Sequence, residues 1–364
     1  MKITIVIPNV NLSGGIRIVA DHARMLHLRG HEVCVVAGRR REPSVKDRVK
    51  QLLRGQLPKG KPRIGTHLDE VAFEVRVIDE CRDITAADVP DADIIVATWW
   101  KTAHWVEAMP ASKGIKVSFI QGYDVHPDHP SEPIEAVWRM DMQKIVVSDW
   151  LRGIALDRFG DDSSILVPNG IDCDAFAFGE RSKNARAMIG VVSSTVACKR
   201  FWIACEVVEE LRRRGVDCGF VGFGTGNLSE EDLPDGSAFE VAPSADRISE
   251  IYRSCDCWLF TSDEEGYGLP IVEALASGTP VVATPAGAAR ELLSSGGGVL
   301  VDEDDPDRIV CAVADEVERV LSLDDGAWRA MARAGREEAE RHSWDVIGGQ
   351  MESVLLRLLE EHRA

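Results

Sequence analysis

The chain has 364 residues, 45% hydrophobic and 28% charged, proportions that exclude disordered, collagen-like and disulfide-scaffold classes and suffice for two domains with real cores. Lys and Arg number 42 against 60 Asp and Glu, a formal charge of -18, which disfavours wrapping of nucleic acid over the whole surface. Nine cysteines without paired spacing predict reduced thiols in a cytoplasmic protein and no structural metal site.

The first apolar run, Lys2 to Pro8, is too short for a signal-peptide core and reads as a strand. Asn11-Leu-Ser-Gly-Gly15 follows as a glycine loop, and a helical pattern then runs through Leu26 to Gly30. Further apolar runs at 32–37, 73–78, 93–97, 117–120 and 144–147 alternate with helical or loop material, as parallel strands buried on both faces do. Residues 175–187 form a polar stretch without clear periodicity, and a second series of runs begins at 188–192 and continues at 219–222, 238–241, 257–260, 280–283 and 298–301. From about Asp305 onward the pattern is helical.

Two successive alternating sets predict an α/β protein of two doubly wound, Rossmann-like domains facing a central cleft, because ligands of such sheets sit outside the carboxyl ends of the strands. The expected divisions are a domain over 1–174, a linker over 175–187, a second domain over 188–343 and a C-terminal helix over 344–364 that returns to the first domain.

One segment departs from the acidic balance. Between Arg39 and Arg63 ten basic residues face only Glu42 and Asp47, and Val45, Val49, Leu52, Leu53 and Leu57 recur at helical spacing. Such a helix can lie on an anionic membrane surface, receive a phosphorylated acceptor, or be an ordinary surface helix with its apolar side in the core. A cytoplasmic protein with peripheral contact to the inner membrane surface is one expectation.

The stretch richest in chemistry runs from Thr261 to Pro280. Gly266 and Gly268 strip side chains from a loop that leads into a helix, Pro270 suits the helix start and Gly278 the residue just past its end. Free amides and the positive end of the helix dipole make that loop a place for a diphosphate. Glu265 and Glu273 bracket it eight positions apart and can bind hydroxyls; otherwise Glu265 is a solvated loop charge and Glu273 a first-turn glutamate that complements the dipole.

Glu265-Gly-Tyr-Gly-Leu-Pro270 with Glu273 resembles the E-x7-E signature of the large retaining glycosyltransferase family four, which has the GT-B fold. Ser13-Gly14-Gly15, Arg29 to Val33, Val167 to Asp172, Val221 to Gly224 and Ser277 to Val282 extend the resemblance in family order over nearly the whole chain. The resemblance implies transfer of a sugar, with retention of configuration, from a nucleotide-diphosphate donor to an acceptor hydroxyl of a glycan, glycolipid or small molecule, without a cofactor or metal. It makes Glu265 a contact to the donor sugar and Glu273 a contact to the ribose, with the amides of Gly268 and Leu269 at the diphosphate, Gly15 joining them from across the cleft, and Gly266 and Tyr267 among the donor-binding residues.

The resemblance also has departures. The family places an Arg and, five residues on, a Lys at the diphosphate; Lys199 fits the Lys, but Ser194 stands at the Arg and Arg200 replaces a common glycine. Lys199 is therefore the main cation for the leaving group, and Arg200 either substitutes for the missing Arg or is a solvated helix start. Many members carry a His near the reacting carbon where this chain has Gln121, which can bond a hydroxyl or phosphate oxygen but cannot relay a proton. Phe119-Ile-Gln-Gly-Tyr123-Asp124 resembles a subgroup with rhamnosyltransferase-like members.

Trp99, Trp100 and Trp105 crowd a strand's carboxyl end, where they can stack on an acceptor sugar or where two of the three are core, and Trp99, Trp100, Tyr123 and Asp124 are the acceptor-side candidates. His126 and His129 read as surface loop residues, because their spacing suits no common zinc pattern, and Asp172-Cys-Asp174 reads as a turn. Two other classes remain open on sequence: a sugar-nucleotide epimerase of the same architecture, and a non-catalytic nucleotide-sugar-binding protein.

Overall fold

The computed structural model describes residues 1–38, 65–78, 82–125, 131–176, 179, 181–225, 228 and 232–363. The basic stretch 39–63 and the residues His126, Asp128 and His129 lie outside these. The chain divides into two compact units, Met1–Val146 with Ala155–Ile165 and Gly348–Ala364, and Val147–Ile154 with Leu166–Ile347.

In the first unit, β1 (Lys2–Ile7), β2 (Glu32–Ala37), β3 (Glu74–Val77), β4 (Ile94–Ala97), β5 (Ile115–Ile120), β6 (Gln143–Val146) and β7 (Ile165–Leu166) form one sheet in the order β3-β2-β1-β4-β5-β6-β7. Each run singled out in the sequence becomes a strand, and its apolar composition has a visible cause: β1 and β2 bury every residue after the first, and β4 is buried throughout. Between β1 and β2 lies α1 (Gly14–Leu28), which Ser13 caps by accepting a hydrogen bond from the Ile16 amide. Val6, Val36, Ile95 and Ala97 pack with Ala103 and Val106 of α2 (Trp100–Glu107). Helix α3 (Ser131–Arg139) buries Ile134, Val137 and Trp138.

The second sheet repeats the plan. Strands β8 (Ala187–Val192), β9 (Cys218–Gly224), β10 (Ala238–Val241), β11 (Cys257–Phe260), β12 (Val281–Ala283) and β13 (Gly298–Leu300) lie in the order β10-β9-β8-β11-β12-β13, with parallel pairing throughout. Helix α5 (Phe201–Arg213) and helix α9 (Ile309–Ser322) cover one face through Ile203, Val207, Val313 and Val317. In each sheet the strand order reverses beside the first strand, between β1 and β4 and between β8 and β11. Those are the topological switch points, where adjacent loops leave in opposite directions and open a crevice.

The units exchange chain at other places than the sequence-derived linker at 175–187. Residues 166–174 group with the second unit because Ile171 donates to the His342 carbonyl at 2.8 Å and Trp344 donates to the Ile171 carbonyl at 3.2 Å. Gly170 lies against the Trp344 indole, where an added Cβ would sit 2.4 Å from ring atoms. Residues 147–154, which open α4 (Asp149–Phe159), group there too: Ser148 Oγ donates to the Gly266 carbonyl at 2.7 Å and the Asp149 amide to Glu291 at 2.8 Å. The helical tail resolves into three helices, α9, α10 (Asp325–Arg341) and α11 (Trp344–Arg363), because Asp324 caps a new start through the Ala327 amide and His342 ends α10.

Candidate functional site

Two loops meet at the switch point of the second sheet. The first follows β8 and ends in a short 3-10 turn, Ala197–Lys199, before α5. The second follows β11 and runs to α7 (Leu269–Ala276). They are stitched together: Thr261 Oγ1 donates to the carbonyls of Lys199 and Arg200 at 3.2 and 3.1 Å, and the Asp263 amide donates to the Cys198 carbonyl at 2.9 Å. Lys199 Nζ donates to Glu265 Oε1, which also accepts from Ser262 Oγ at 3.2 Å. The structure thus brings together the two residues to which the sequence assigns the principal chemistry.

Arg200 is not a solvated helix start. Its Nε and Nη2 donate to the carbonyls of Thr261 and Ser262 at 3.0 and 3.4 Å, bracing the end of β11. Its φ of 43° lies in the left-handed region, which glycine adopts without strain. Ser194 Oγ accepts from the Val196 amide at 3.1 Å, a local turn bond.

The loop from Glu265 to Gly268 is held at every residue. The Gly266 carbonyl takes the Ser148 hydroxyl, and the Tyr267 carbonyl takes the Ala288 amide at 2.7 Å. The Tyr267 side chain turns inward and is buried, its hydroxyl 2.9 Å from His342 Nδ1, so only its main chain is left for a ligand. Gly268, at φ 102°, makes the reversal into α7, and its carbonyl accepts from the Ile271 amide at 2.9 Å. Pro270 is the second residue of α7, and Gly278 follows its end at φ 70°.

Glu273 occupies the second turn of α7, not the first, so complementing the helix dipole does not account for it; that effect fades within one turn. The residue is 6% exposed, and its Oε2 accepts from the Tyr252 hydroxyl at 2.8 Å. Tyr252 and His342 are the residues that sequence reasoning missed. Each lies tens of residues from the motif it supports, and neither carries a local signal beyond an aromatic at a helix end.

The first unit carries a cavity of about 370 Å3 at its own switch point, lined by the carboxyl ends of β1, β4 and β5. Asn9, Gly15, Trp99, Gln121, Tyr123 and Asp124 are among its walls, and a Cβ on Gly15 would lie 3.6 Å from the Gln121 side chain. Trp100 also lines it, Trp100 and Trp105 both pack on the core, and the Trp99 ring lies against that of Trp100 with centroids 5.1 Å apart. The Tyr123 hydroxyl accepts from Arg158 at 3.1 Å, and Asp124 adopts φ 56°.

Asp172 Oδ1 accepts from the amides of Asp174 and Ala175, both at 3.0 Å, so the Asp-Cys-Asp triplet is built as a turn. Among the described residues no cluster of three or more His, Cys, Asp or Glu could hold a metal, and no helix is long and apolar enough to cross a membrane.

Comparison with solved structures settles the architecture. A sucrose-phosphate synthase from Thermosynechococcus elongatus superposes with a TM-score of 0.72 over 99% of this chain and 100% of its own, at 16% identity. Anabaena HepE, solved with UDP and glucose, superposes with a TM-score of 0.71 over 98% of this chain and 99% of its own, at 18% identity. The fold is GT-B. Residues 186–322, within the second unit, match the family Glycosyl transferases group 1. A phosphatidyl-myo-inositol mannosyltransferase from Mycobacterium tuberculosis is 28% identical over 225 residues, and that alignment covers 58% of this chain and 58% of the mannosyltransferase. The GT-B sheet carrying Lys199 and Glu265 is thus also the part matched by a glycosyltransferase family.

Proposed function

We propose that this GT-B protein is a metal-independent retaining glycosyltransferase that moves a sugar from a nucleotide-diphosphate donor to an acceptor hydroxyl. The observation that carries the reading is the Lys199–Glu265 pair at the switch point of the second sheet, beside a glycine loop that opens α7. The family match over 186–322 and the UDP and glucose present in the HepE structure support the donor class.

Charge builds on the diphosphate as its bond to the anomeric carbon breaks. Lys199 and the main-chain amides around Gly268 and Leu269 stabilise that charge more in the transition state than in the ground state, which is what accelerates the step. Glu265 binds donor-sugar hydroxyls and Glu273 the ribose, while Gln121, Trp99 and Asp124 of the first unit's cavity receive the acceptor. In this reading the acceptor attacks from the face the phosphate leaves, and the departing phosphate takes its proton.

The test begins with thermal shift across UDP, GDP, dTDP and ADP sugars, since a bound ligand raises apparent stability. The stabilising donor is then incubated with acceptors while free nucleotide and product anomers are followed by chromatography and NMR. Release of nucleoside diphosphate with a retained anomer supports the proposal. Isomerised donor without nucleotide release identifies an epimerase, and nucleotide binding without turnover on any acceptor identifies a binding protein.

A further inference from the structure

We infer that His342 is a positioning residue for the donor loop, locking it through the Tyr267 hydroxyl. The inference rests on the reading of residues 265–269 as that loop. Tyr267 stands between Gly266 and Gly268, two residues that give the main chain freedom, so its own anchoring decides where the neighbouring amides point. Its ring is buried, and its hydroxyl lies 2.9 Å from His342 Nδ1. The other imidazole nitrogen, Nε2, lies 3.3 Å from Glu338 Oε1, and Glu338 is itself held by Arg341 at 2.8 Å and by Ser295.

The bond directions follow from this arrangement. Glu338 accepts, so Nε2 carries the imidazole proton; Nδ1 then offers a lone pair, and the Tyr267 hydroxyl donates to it. Burial lowers the pKa of His342 and raises that of Tyr267, keeping the ring neutral and the phenol protonated, as the chain of bonds requires. The charged groups facing this pair are Glu338 and Arg341 on α10 and Glu291 on α8 (Ala289–Leu293). His342 also accepts the Ile171 amide through its carbonyl, so one residue ties the loop to the chain around Ile171. Protonation of Nδ1 would replace the lone pair by a second donor and release the tyrosine.

Hydrogen exchange of the peptide spanning 265–269 is the direct test, because it reads the loop whether or not the protein turns over a donor. His342→Phe keeps the ring volume without an acceptor, and His342→Asn returns an acceptor close to the Nδ1 position. Exchange in the loop should rise about tenfold in His342→Phe and in Tyr267→Phe, no further in the double variant, and stay near wild type in His342→Asn. In turnover, the wild-type kcat/KM should fall only below the ordinary histidine range, because burial lowers the His342 pKa, and that limb should vanish in His342→Phe. Unchanged loop exchange in both single variants overturns the inference, as does an acid limb that survives His342→Phe. A loop that loosens in a protein without transferase activity supports the lock and overturns the proposed function instead. If His342→Phe fails to fold, Tyr267→Phe carries the same test from the other end of the bond.

Discussion

Lys199 and Glu265, 66 residues apart in sequence, form an ion pair that joins the two loops at the second sheet's switch point. The Lys199 side chain is a third exposed and the Glu265 side chain 15% exposed, so the pair is partly open to solvent. Removing a preorganised cation from a site of developing charge costs roughly 10²–10³-fold in turnover. Lys199→Ala should therefore lower kcat by about that factor. Lys199→Arg should restore little, because a planar fork cannot replace a point charge at the same reach. Steady-state kinetics with the donor found by thermal shift is the check, and a Lys199→Ala enzyme with wild-type kcat would remove the ammonium from the mechanism.

The Tyr252–Glu273 bond makes a separable prediction. Both groups are buried, and the Tyr252 ring also packs on Trp258 with centroids 4.2 Å apart. Tyr252→Phe keeps that packing and leaves one Glu273 oxygen without this donor. Loss of one buried bond to a charged group costs about 1–3 kcal/mol, so the urea midpoint should fall with an unchanged m-value. Donor affinity should fall with it, because the carboxylate that reaches the ribose in the proposed function loses its orientation. An unaltered midpoint would show that Glu273 is held by its other contacts.

How much of this could be read in advance differs between fold and site. The strands announced themselves because both sheets are covered on both faces, which forces nearly unbroken apolar runs such as Ile3–Ile7 and Cys257–Phe260. The two-residue strand β7 carried no such signal, and the segment around Ile171 read as part of the first domain because its grouping depends on His342 and Trp344, far along the chain. At the site, the glycine loop with Glu265 and Gly268 stood out from its local chemistry, whereas Lys199 came from the family resemblance and meets Glu265 across 66 residues. The solvated reading of Arg200 failed because its guanidinium donates to the main-chain carbonyls of Thr261 and Ser262, which lie 61 and 62 positions away. The inward turn of Tyr267 depends on a histidine 75 positions away, which no local pattern announces.

Gly268→Ala tests the geometry of the turn into α7. At φ 102° an L side chain is strained, and an added Cβ would stand 3.3 Å from both Ile271 Cδ1 and Phe260 Cζ. Strain of this kind costs of order 1–3 kcal/mol, so the melting temperature should drop while far-UV circular dichroism stays native. Turnover should fall further than stability alone explains, because relieving the strain rotates the amides that open the helix. Wild-type kcat in a folded Gly268→Ala protein would mean those amides do not meet the diphosphate.

The last prediction concerns acid stability and His22 of α1. Its imidazole is buried edge-on to Phe119, with centroids 5.2 Å apart, and burial pushes its pKa down to about 3. The unfolded chain binds that proton near pH 6.5, the folded chain only near pH 3. Between those values the unfolded state holds more protons, so stability is greatest above pH 6.5 and declines as the pH falls through the window. One proton contributes a slope of at most about 1.4 kcal/mol per pH unit. His22→Leu should lose stability at pH 7.5 through imperfect packing yet gain on the wild type as the pH drops to 5, so that the two urea-denaturation curves of stability against pH converge. Parallel curves from pH 7.5 to 5 would show that His22 keeps the same proton occupancy in both states.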